Sequence, residues 1–257
     1  MTCNPERRLP PHQPFQRIVP GSDSAILFVH GIIGTPDQFL SLLPLVPEEW
    51  SVVSLLLPGH GGEVLDFAHS SMQSWQDHVH SAVSTLSLTH SWILLVGHSM
   101  GTLLAINEAL RRPNQIAGLF LMAVPLVIGP KCEAVRDGLR VVFGRTAGHL
   151  GAESSQCACS IHITPKLWQY LGWLPRYREL FHESFACRSR IRRIEISVTA
   201  VQSHRDELVS RRSCRYLEGL PYVDLHVLPN SRHFDYSAED FAALKHYFEA
   251  FCADFLP

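Results

Sequence analysis

Short continuous runs of apolar residues alternate along the chain with stretches in which the apolar positions are spaced. The continuous runs are too short for helices and predict strands that are buried on both faces of a sheet. Strands are predicted at 25–29, 51–57, 92–96, 118–124, 194–201 and 222–228, the fifth from alternating apolar residues. The spaced positions predict helices at about 35–43, 71–88, 103–112 and 238–255. This alternation favours a mostly parallel sheet flanked by helices, after a proline-rich lead-in over residues 1–20 that could hold an edge strand.

The alternation breaks between residues 126 and 190. This segment contains glycines, prolines and an aromatic-rich piece at 167–174. We interpret it as a cap inserted between two sheet strands, which leaves 1–125 and 191–257 as the core. Four side chains of the cap are the candidates for substrate contact: Trp168, Tyr170, Trp173 and Leu174. Such side chains either line a funnel for an apolar substrate or form the small core of the cap itself, and both roles stay open.

Composition and charge limit the classes of partner. The chain has 257 residues, of which 46% are hydrophobic and 18% charged, and its formal net charge is −2. This balance favours a globular protein and supplies no strong positive field for nucleic acid. No apolar run reaches the roughly 18 residues of a membrane span, and the N-terminus lacks the apolar core of a signal peptide. We expect no nucleic-acid partner, no integral membrane association, and a monomer or homodimer.

Seven cysteines are scattered along the chain without the spacing of a metal site. No CxxC pair occurs, and Cys157 and Cys159 are too isolated to belong to a four-ligand zinc site. Reduced thiols are the expected state, which is typical of cytoplasmic proteins. We therefore expect a cytoplasmic protein with no metal and no cofactor.

The strongest chemical signal lies around Ser99. Gly97, Ser99 and Gly101 form a GxSxG pattern between the predicted strand at 92–96 and the helix that follows. A serine on so sharp a turn takes a strained backbone conformation, and bulky side chains two positions away would collide, so both positions are glycine. The turn raises the hydroxyl above the sheet, beside the N–H groups of a helix N-terminus. Ser99 is therefore the candidate nucleophile of a serine hydrolase.

A serine hydroxyl is a weak nucleophile unless a base takes its proton. Of fifteen histidines, His233 is selected because it directly follows the last predicted strand, which suits the chain order nucleophile, acid, base. Asp206 follows the preceding strand and is the candidate carboxylate that holds the imidazole in the right tautomer. Its neighbour Glu207 is a rival. Asp224, inside the last strand, and Asp235, just past the histidine, are less well placed.

The oxyanion that forms when the serine attacks requires two preorganised backbone donors. One candidate donor is the N–H of Met100, which follows the nucleophile. The other is the N–H of Ile32, in the loop after the first buried strand, where Gly31 lets the chain turn back. The side chains of Ile32 and Met100 are expected only to pack around the acyl pocket.

Two other classes of function compete with this interpretation. The first is a metal-dependent enzyme, since His78 and His80 lie close to Asp77. However, no HExxH pattern is present, and a helix would place the two histidines on different faces. A non-catalytic binding module would typically lack one member of the triad, and all three are present here. Labelling by a fluorophosphonate that depends on Ser99 separates an enzyme from a binding module.

In kind and in order, these motifs resemble those of the α/β-hydrolase superfamily, and more closely those of capped small bacterial carboxylesterases and monoacylglycerol-lipase-like enzymes. The matching residues are His30-Gly31 with Gly34-Thr35-Pro36, Pro58-Gly59-His60-Gly61, Trp75 with Asp77, Gly97-His98-Ser99-Met100-Gly101, Asp206 with Leu208-Val209, and Ser231-Arg232-His233. The resemblance covers nearly the whole chain except the cap. One departure is Arg232, since glycine often precedes the histidine in the family, and we expect it to change the loop surface and not the base.

The resemblance implies the α/β-hydrolase fold and hydrolysis of carboxylic esters without a cofactor. An apolar cap favours a small-molecule substrate with a hydrophobic acyl chain of short or medium length, such as a simple ester or a monoacylglycerol. The same scaffold also hosts peptide and amide hydrolysis and acyl transfer, so these chemistries remain alternatives.

Overall fold

The computed structural model of the protein describes residues 12–256. Seven strands form one sheet in the order β1-β3-β2-β4-β5-β6-β7, in which β1 is antiparallel to β3 and all other neighbours are parallel. The strands are β1 (Phe15–Arg17), β2 (Ser24–Val29), β3 (Ser51–Ser54), β4 (Trp92–His98), β5 (Ile116–Met122), β6 (Ser197–Ser203) and β7 (Val223–Leu228). All six predicted strands are confirmed to within a few residues. The strand β1 falls in the proline-rich lead-in, whose first eleven residues lie outside the described residues.

Helices connect the strands and fill the segment between β5 and β6. They are α1 (Val64–Ala68), α2 (Met72–Leu86), α3 (Met100–Arg111), α4 (Cys132–Val142), α5 (Leu150–Ala158), α6 (Leu174–Arg190) and α7 (Ala238–Ala253). Short 3-10 helices lie at Pro36–Phe39, Leu43–Leu45, Leu167–Trp173, Ile191–Arg193 and Arg211–Tyr216. The predicted helices at 71–88, 103–112 and 238–255 are confirmed as α2, α3 and α7.

The predicted helix at 35–43 is wrong in type, since two 3-10 helices stand in its place. Thr35 caps the first of them by accepting the N–H of Asp37 at 3.3 Å, and Leu40 N–H then bonds three residues back to Asp37 O. Pro44 has no N–H and disfavours the helical region for the residue before it. The chain therefore turns in short i to i+3 steps.

Alternate residues of the sheet strands pack on opposite faces, as the period of two requires. On β2, Ala25, Leu27 and Val29 belong to one core cluster, and Ile26 and Phe28 belong to the other. The first cluster packs against α2, α3 and part of α6, and the second packs against α7 and the 3-10 helices at 36–45. Both faces are covered, which explains why the strand sequences are continuous apolar runs.

Helices α4, α5 and α6 lie in the segment predicted as a cap. Leu180 and Cys187 of α6 are buried in the same cluster as α3, so this helix packs on the body of the fold. By contrast, α4 buries one residue only, Asp137. The boundaries of the cap at 126 and 190 stay a prediction.

The cysteines differ in one place from the expectation of reduced thiols. Cys132, Cys159, Cys187, Cys214 and Cys252 are free. Cys157 is disulfide-bonded, so the expectation is wrong at this residue, because spacing in the sequence does not show which sulfur atoms meet in space. Within residues 12–256, no helix combines the length and the apolar character needed to span a bilayer.

Candidate active site

Ser99 stands on the turn between β4 and α3. Its backbone angles, φ 52° and ψ −123°, lie outside the regions that residues with a side chain normally occupy. A Cβ at Gly97 would lie 2.7 Å from the backbone of Thr102, and a Cβ at Gly101 would overlap the carbonyl of Val29. The turn is held from below by Thr102, whose N–H and hydroxyl donate to Ser99 O at 2.9 Å and 2.7 Å. Packing thus requires glycine at both positions and presents the serine at the carboxyl edge of the sheet.

Asp206 and His233 come from the loops after β6 and β7 and meet at the same edge. His233 Nδ1–H donates to Asp206 Oδ2 at 2.7 Å, and both side chains are almost fully buried. The other carboxylate oxygen, Oδ1, accepts the backbone N–H groups of Leu208 at 2.8 Å and Val209 at 2.7 Å. The carboxylate is therefore fully hydrogen-bonded, and it orients the imidazole with Nε2 free of the proton.

Burial and pairing act in opposite directions on these two groups. Burial disfavours the imidazolium of His233, but attraction to the Asp206 carboxylate and the hydrogen bond between them raise its pKa above 6.5. Burial likewise disfavours the Asp206 carboxylate, but His233 and the two backbone donors lower its pKa. The pair is thus suited to hold a proton on the imidazole while the aspartate stays ionised.

The loop that carries His233 is fixed by Asp240, at the start of α7. Its Oδ2 accepts the N–H of Asn230 at 2.7 Å and the hydroxyl of Ser231 at 2.7 Å. Asp240 is 3% exposed, so these bonds are shielded from water. Its signal in the sequence is an acidic first turn of a helix directly after the histidine loop, a pattern that does not by itself point to a role in the site.

The rival acidic residues make other contacts, through the side chains of Glu207 and Asp224 and through the main chain of Asp235. Glu207 Oε2 accepts the backbone N–H of His233 at 3.1 Å and the Arg232 Nε–H at 3.3 Å, so it holds the main chain of the histidine and not its ring. Asp224 pairs with His226 on β7 at 2.9 Å. The carbonyl of Asp235 accepts the N–H of Arg232 at 2.8 Å.

His98 links the nucleophile turn to the histidine loop. Its Nε2–H donates to His233 O at 3.3 Å, and the two rings pack with centroids 4.9 Å apart. Burial and the neighbouring His233 lower the pKa of His98 to about 3, so it stays neutral. Ser99 Oγ makes no hydrogen bond to His233 in this structure; in resting enzymes this bond is often long and shortens in the substrate complex.

The loop after β2 lies directly against Ser99. A Cβ at Gly31 would lie 2.9 Å from Ser99 Cβ, which explains glycine there. Ile33 has φ 52°, an unusual value for a β-branched residue, and its carbonyl accepts the N–H of Ser160 from the cap at 2.9 Å. The Ile32 N–H has no partner in the described part of the chain. Met100 is the first residue of α3, so its N–H has no acceptor within the helix.

His30 holds this loop in place from within the fold. Its Nδ1–H donates to Gly31 O at 2.8 Å, and its Nε2 accepts the N–H of Leu57 at 3.0 Å. Burial, and then the nearby ring of His60, lower the pKa of His30 well below 6.5. His30 is therefore a neutral structural residue with a defined tautomer.

The four cap residues predicted to contact substrate lie in two different settings. Trp173 is buried: its Nε1–H donates to Val64 O at 2.9 Å, and its ring packs on Phe67 and on Tyr170. Trp168 and Leu174 are 68% and 65% exposed. These contacts favour the packing role for Tyr170 and Trp173, while a role in substrate binding stays a prediction for all four.

Of the two histidines considered for a metal site, His80 belongs to another network. His80 Nδ1 lies 2.9 Å from Glu108 Oε1, and its Nε2 lies 3.3 Å from Arg112 Nη2. Glu108 is fully buried and also pairs with Arg112. His80 therefore ties α2 to α3.

Two curated proteins are similar to this chain over part of its length. Monoacylglycerol lipase ABHD6 of Homo sapiens is 30% identical over 122 residues, which covers 47% of this chain and 33% of the relative. (E)-2-((N-methylformamido)methylene)succinate hydrolase of Acinetobacter baylyi is 25% identical over 135 residues, 52% of this chain and 49% of the relative. The alignments thus span between a third and about half of the length of these curated relatives.

Two solved structures superpose on nearly the full chain. The monoacylglycerol lipase of Paleococcus ferrophilus superposes with a TM-score of 0.68 at 19% identity, covering 94% of this chain and 98% of that one. A structure from work on the metagenome-derived lipolytic enzymes LipS and LipT gives a TM-score of 0.72 at 19% identity, covering 96% and 99%. At these identities the likeness shows the fold alone. Residues 26–244 match the sequence model of the alpha/beta hydrolase family, and the chain belongs to this family.

Proposed function

We propose that the protein is a serine hydrolase that cleaves carboxylic esters of hydrophobic, short- or medium-chain acyl groups through an acyl-enzyme on Ser99. The observation that carries the proposal is the buried 2.7 Å hydrogen bond between His233 and Asp206 at the same sheet edge as the strained turn of Ser99. A histidine whose second nitrogen is fixed by a carboxylate is a base, and a serine on such a turn is its natural partner.

In the first half-reaction, Ser99 Oγ attacks the ester carbonyl while His233 Nε2 takes the hydroxyl proton. Asp206 stays ionised and stabilises the imidazolium that forms. The negative charge on the carbonyl oxygen is held by the N–H groups of Ile32 and Met100, each of which is worth on the order of 10²- to 10³-fold in rate. The tetrahedral intermediate collapses, the imidazolium returns its proton to the alkoxide, and the alcohol leaves.

In the second half-reaction, water attacks the acyl-enzyme. His233 takes a proton from the water as the new carbon–oxygen bond forms, and the same two N–H groups hold the second oxyanion. The bond to Ser99 Oγ then breaks, the serine recovers its proton from the imidazolium, and the carboxylic acid leaves. No redox or metal step is required.

The apolar side chains of the cap support a hydrophobic acyl group. Lipolytic relatives and neighbours, the monoacylglycerol lipases of Homo sapiens and Paleococcus ferrophilus among them, point in the same direction. Amide hydrolysis is the second candidate. It is favoured by the relative from Acinetobacter baylyi, whose name describes hydrolysis of an N-methylformamido compound. A Ser-His-Asp triad serves amide hydrolysis by the same steps.

The test is a panel of p-nitrophenyl esters from acetate to palmitate, with the wild type beside Ser99→Ala. We expect turnover of the short and medium chains, and its loss in Ser99→Ala. Ser189→Ala, an exposed serine on α6, is the matched control and keeps full activity. Activity on amides alone would replace the esterase assignment by the amidase, and absence of fluorophosphonate labelling at Ser99 would remove both.

A further inference from the structure

Helix α4 meets the rest of the protein in an unusual way. Two of its apolar side chains, Val135 and Leu139, and that of Phe143, just after the helix, are 57%, 51% and 50% exposed. Its one buried residue is an acid, Asp137, which is 6% exposed. A helix that exposes much of its apolar surface and buries a carboxylate depends on the pairing of that charge, since buried charges occur only where they are paired.

The partner of Asp137 is the residue just before the candidate base. Arg232 Nη2 lies 3.4 Å from Asp137 Oδ2, and Arg140 of the same helix lies 2.9 Å from Oδ1. A Cβ at Gly151 would lie 2.6 Å from Arg232 Nη1 and would overlap Asp137 Oδ2. The start of α5 therefore closes over this ion pair, and a side chain at position 151 would have to displace the two charged groups.

The other side of the same guanidinium reaches the catalytic loop. Arg232 Nε lies 3.3 Å from Glu207 Oε2, and the same oxygen accepts the N–H of His233 at 3.1 Å. Glu207 is 5% exposed, and among the described residues it forms an ion pair with Arg232. A continuous chain of contacts thus runs from α4 through Asp137, Arg232 and Glu207 to the backbone of His233.

We propose that Arg232 is a positioning residue that couples cap helix α4 to His233, so that the placement of the cap and the strength of the base change together. The inference rests on the proposed function, because it concerns the base of that reaction. It also explains the departure from the family pattern: a glycine before the histidine offers no group that reaches either carboxylate.

Arginine is required at this position because its planar guanidinium can contact two carboxylates at once. The Nε–H points to Glu207 and an Nη–H points to Asp137, whereas a lysine ammonium is a single point charge on a flexible stem. Loss of Arg232 leaves Glu207 buried without a cation, which is costly. Asp137 retains Arg140, so α4 loses its side-chain link to the histidine loop and not its whole charge balance. The backbone bond from Lys131 N–H, just before α4, to Glu207 O at 2.8 Å remains.

The charge of Arg232 also acts on His233 itself. The charged and titratable groups that face His233 or the arginine beside it are Asp206, Glu207, His98, Asp137 and Glu133. Tyr236 lies near the two loop acids, Asp206 and Glu207. After burial and Asp206, the charge of Glu207 raises the pKa of His233. Arg232 offsets that charge, so its removal raises the pKa of His233 further, and removal of the Glu207 charge lowers it.

The experiment compares Arg232→Gln, Arg232→Lys, Asp137→Asn and the double variant Arg232→Gln/Asp137→Asn, with kcat/KM for a p-nitrophenyl ester measured from pH 5 to 9. We expect Arg232→Gln to lose about tenfold in kcat/KM, within the range seen for residues that share a network. We also expect the acid limb of the pH profile, where kcat/KM falls as the pH is lowered, to move to higher pH. Asp137→Asn lowers kcat/KM in the wild-type background but has little further effect once Arg232 is glutamine. Arg232→Lys restores the position of the acid limb, because the charge returns, but only part of the rate.

The matched control is Arg136→Gln, which removes one exposed positive charge from the same helix and leaves both the rate and the acid limb unchanged. Hydrogen exchange follows the cap directly: residues 132–142 exchange faster in Arg232→Gln than in Arg136→Gln. An acid limb that stays in place in Arg232→Gln, or independent effects of the two substitutions in the double variant, overturns the coupling.

A readout that needs no turnover separates this inference from the proposed function. The His233 ring signal is identified by NMR from its loss in His233→Ala, and its pKa is measured in the wild type and in Arg232→Gln. A higher pKa in Arg232→Gln supports the coupling even if no ester is hydrolysed. An unchanged pKa together with normal ester turnover overturns the coupling alone and leaves the hydrolase assignment intact.

Discussion

Helices α3 and α4 differ in how they are held. The first follows Ser99 and buries ten of its twelve residues, most of them apolar, against the sheet. The second lies in the segment predicted as a cap and buries one of its eleven residues, an aspartate. The difference teaches that the edge that carries the candidate triad is fixed by the hydrophobic core, whereas α4 buries little apolar surface and contacts the fold through a buried ion pair. Four predictions probe this contrast.

The largest effect is expected at the nucleophile. Ser99→Ala removes the atom that attacks and lowers kcat by about 10⁶-fold, by analogy with serine proteases in which the triad acts as a unit. The fold stays intact, because an alanine fills less space at the same turn, and the melting temperature checks this. Turnover of Ser99→Ala within a hundredfold of the wild type would move the chemistry to another residue.

Next in size is the separation of two neighbouring acids. Asp206→Asn leaves the geometry in place but stabilises the wrong imidazole tautomer, and kcat falls by about 10⁴-fold. Glu207→Gln is the matched variant at the adjacent position and costs far less, about tenfold, because Glu207 contacts the backbone of His233 and the guanidinium of Arg232 and not the imidazole. Steady-state kinetics on both variants measures the two losses in kcat. A reversed order of the two effects would make Glu207 the acid of the triad.

The third prediction tests the contrast between the helices through stability. Leu104→Ala in α3, where the side chain is fully buried, destabilises by about 2–5 kcal/mol through lost burial and a cavity. Leu139→Ala in α4, where the side chain is 51% exposed, changes stability by less than about 1 kcal/mol. Urea unfolding of both variants measures this. Equal losses would show that α4 is packed against an apolar surface in solution.

The smallest effect is the position of the acid limb in the pH profile. His233 must be neutral to accept the proton of Ser99, and its pKa is raised above 6.5 by Asp206 against the effect of burial. Activity therefore rises with pH through a midpoint above 6.5 and is lost below it. The same raised pKa stabilises the fold below pH 6.5, and this contribution is lost as the pH rises through the value in the folded state. A midpoint of kcat/KM below 6.5 would contradict the pairing with Asp206.

Several features of the fold and the site were accessible from local patterns. The strands were found because both faces of a parallel sheet are covered, which makes their sequences continuous apolar runs. The turn at Ser99 was found because close packing requires glycine two residues before and after it, and the structure accounts for both glycines. The helix at 35–43 was assigned the wrong type, since spaced apolar positions do not distinguish an α-helix from successive 3-10 turns around Pro36 and Pro44.

The cap shows where local patterns stop being informative. The aromatic piece at 167–174 has the composition of both a substrate funnel and a packed core. Only its position against α1, with Trp173 hydrogen-bonded to Val64 O, favours the core for that residue. From the sequence alone, the exposed apolar side chains of α4 cannot be distinguished from the apolar side chains that α3 buries. Burial depends on what lies opposite a helix, and the residues opposite are distant in the chain.

Chain order alone was enough to propose the nucleophile turn, the late histidine and two neighbouring acids after β6. Only the folded chain decides that Asp206 meets the imidazole while Glu207 turns to the backbone, because successive residues in a turn point in different directions. The pairing of Arg232 with Asp137 joins residues that lie 95 positions apart. Such a contact leaves no periodic trace in either segment, since it depends on the packing of α4 and α5 over the loop after β7.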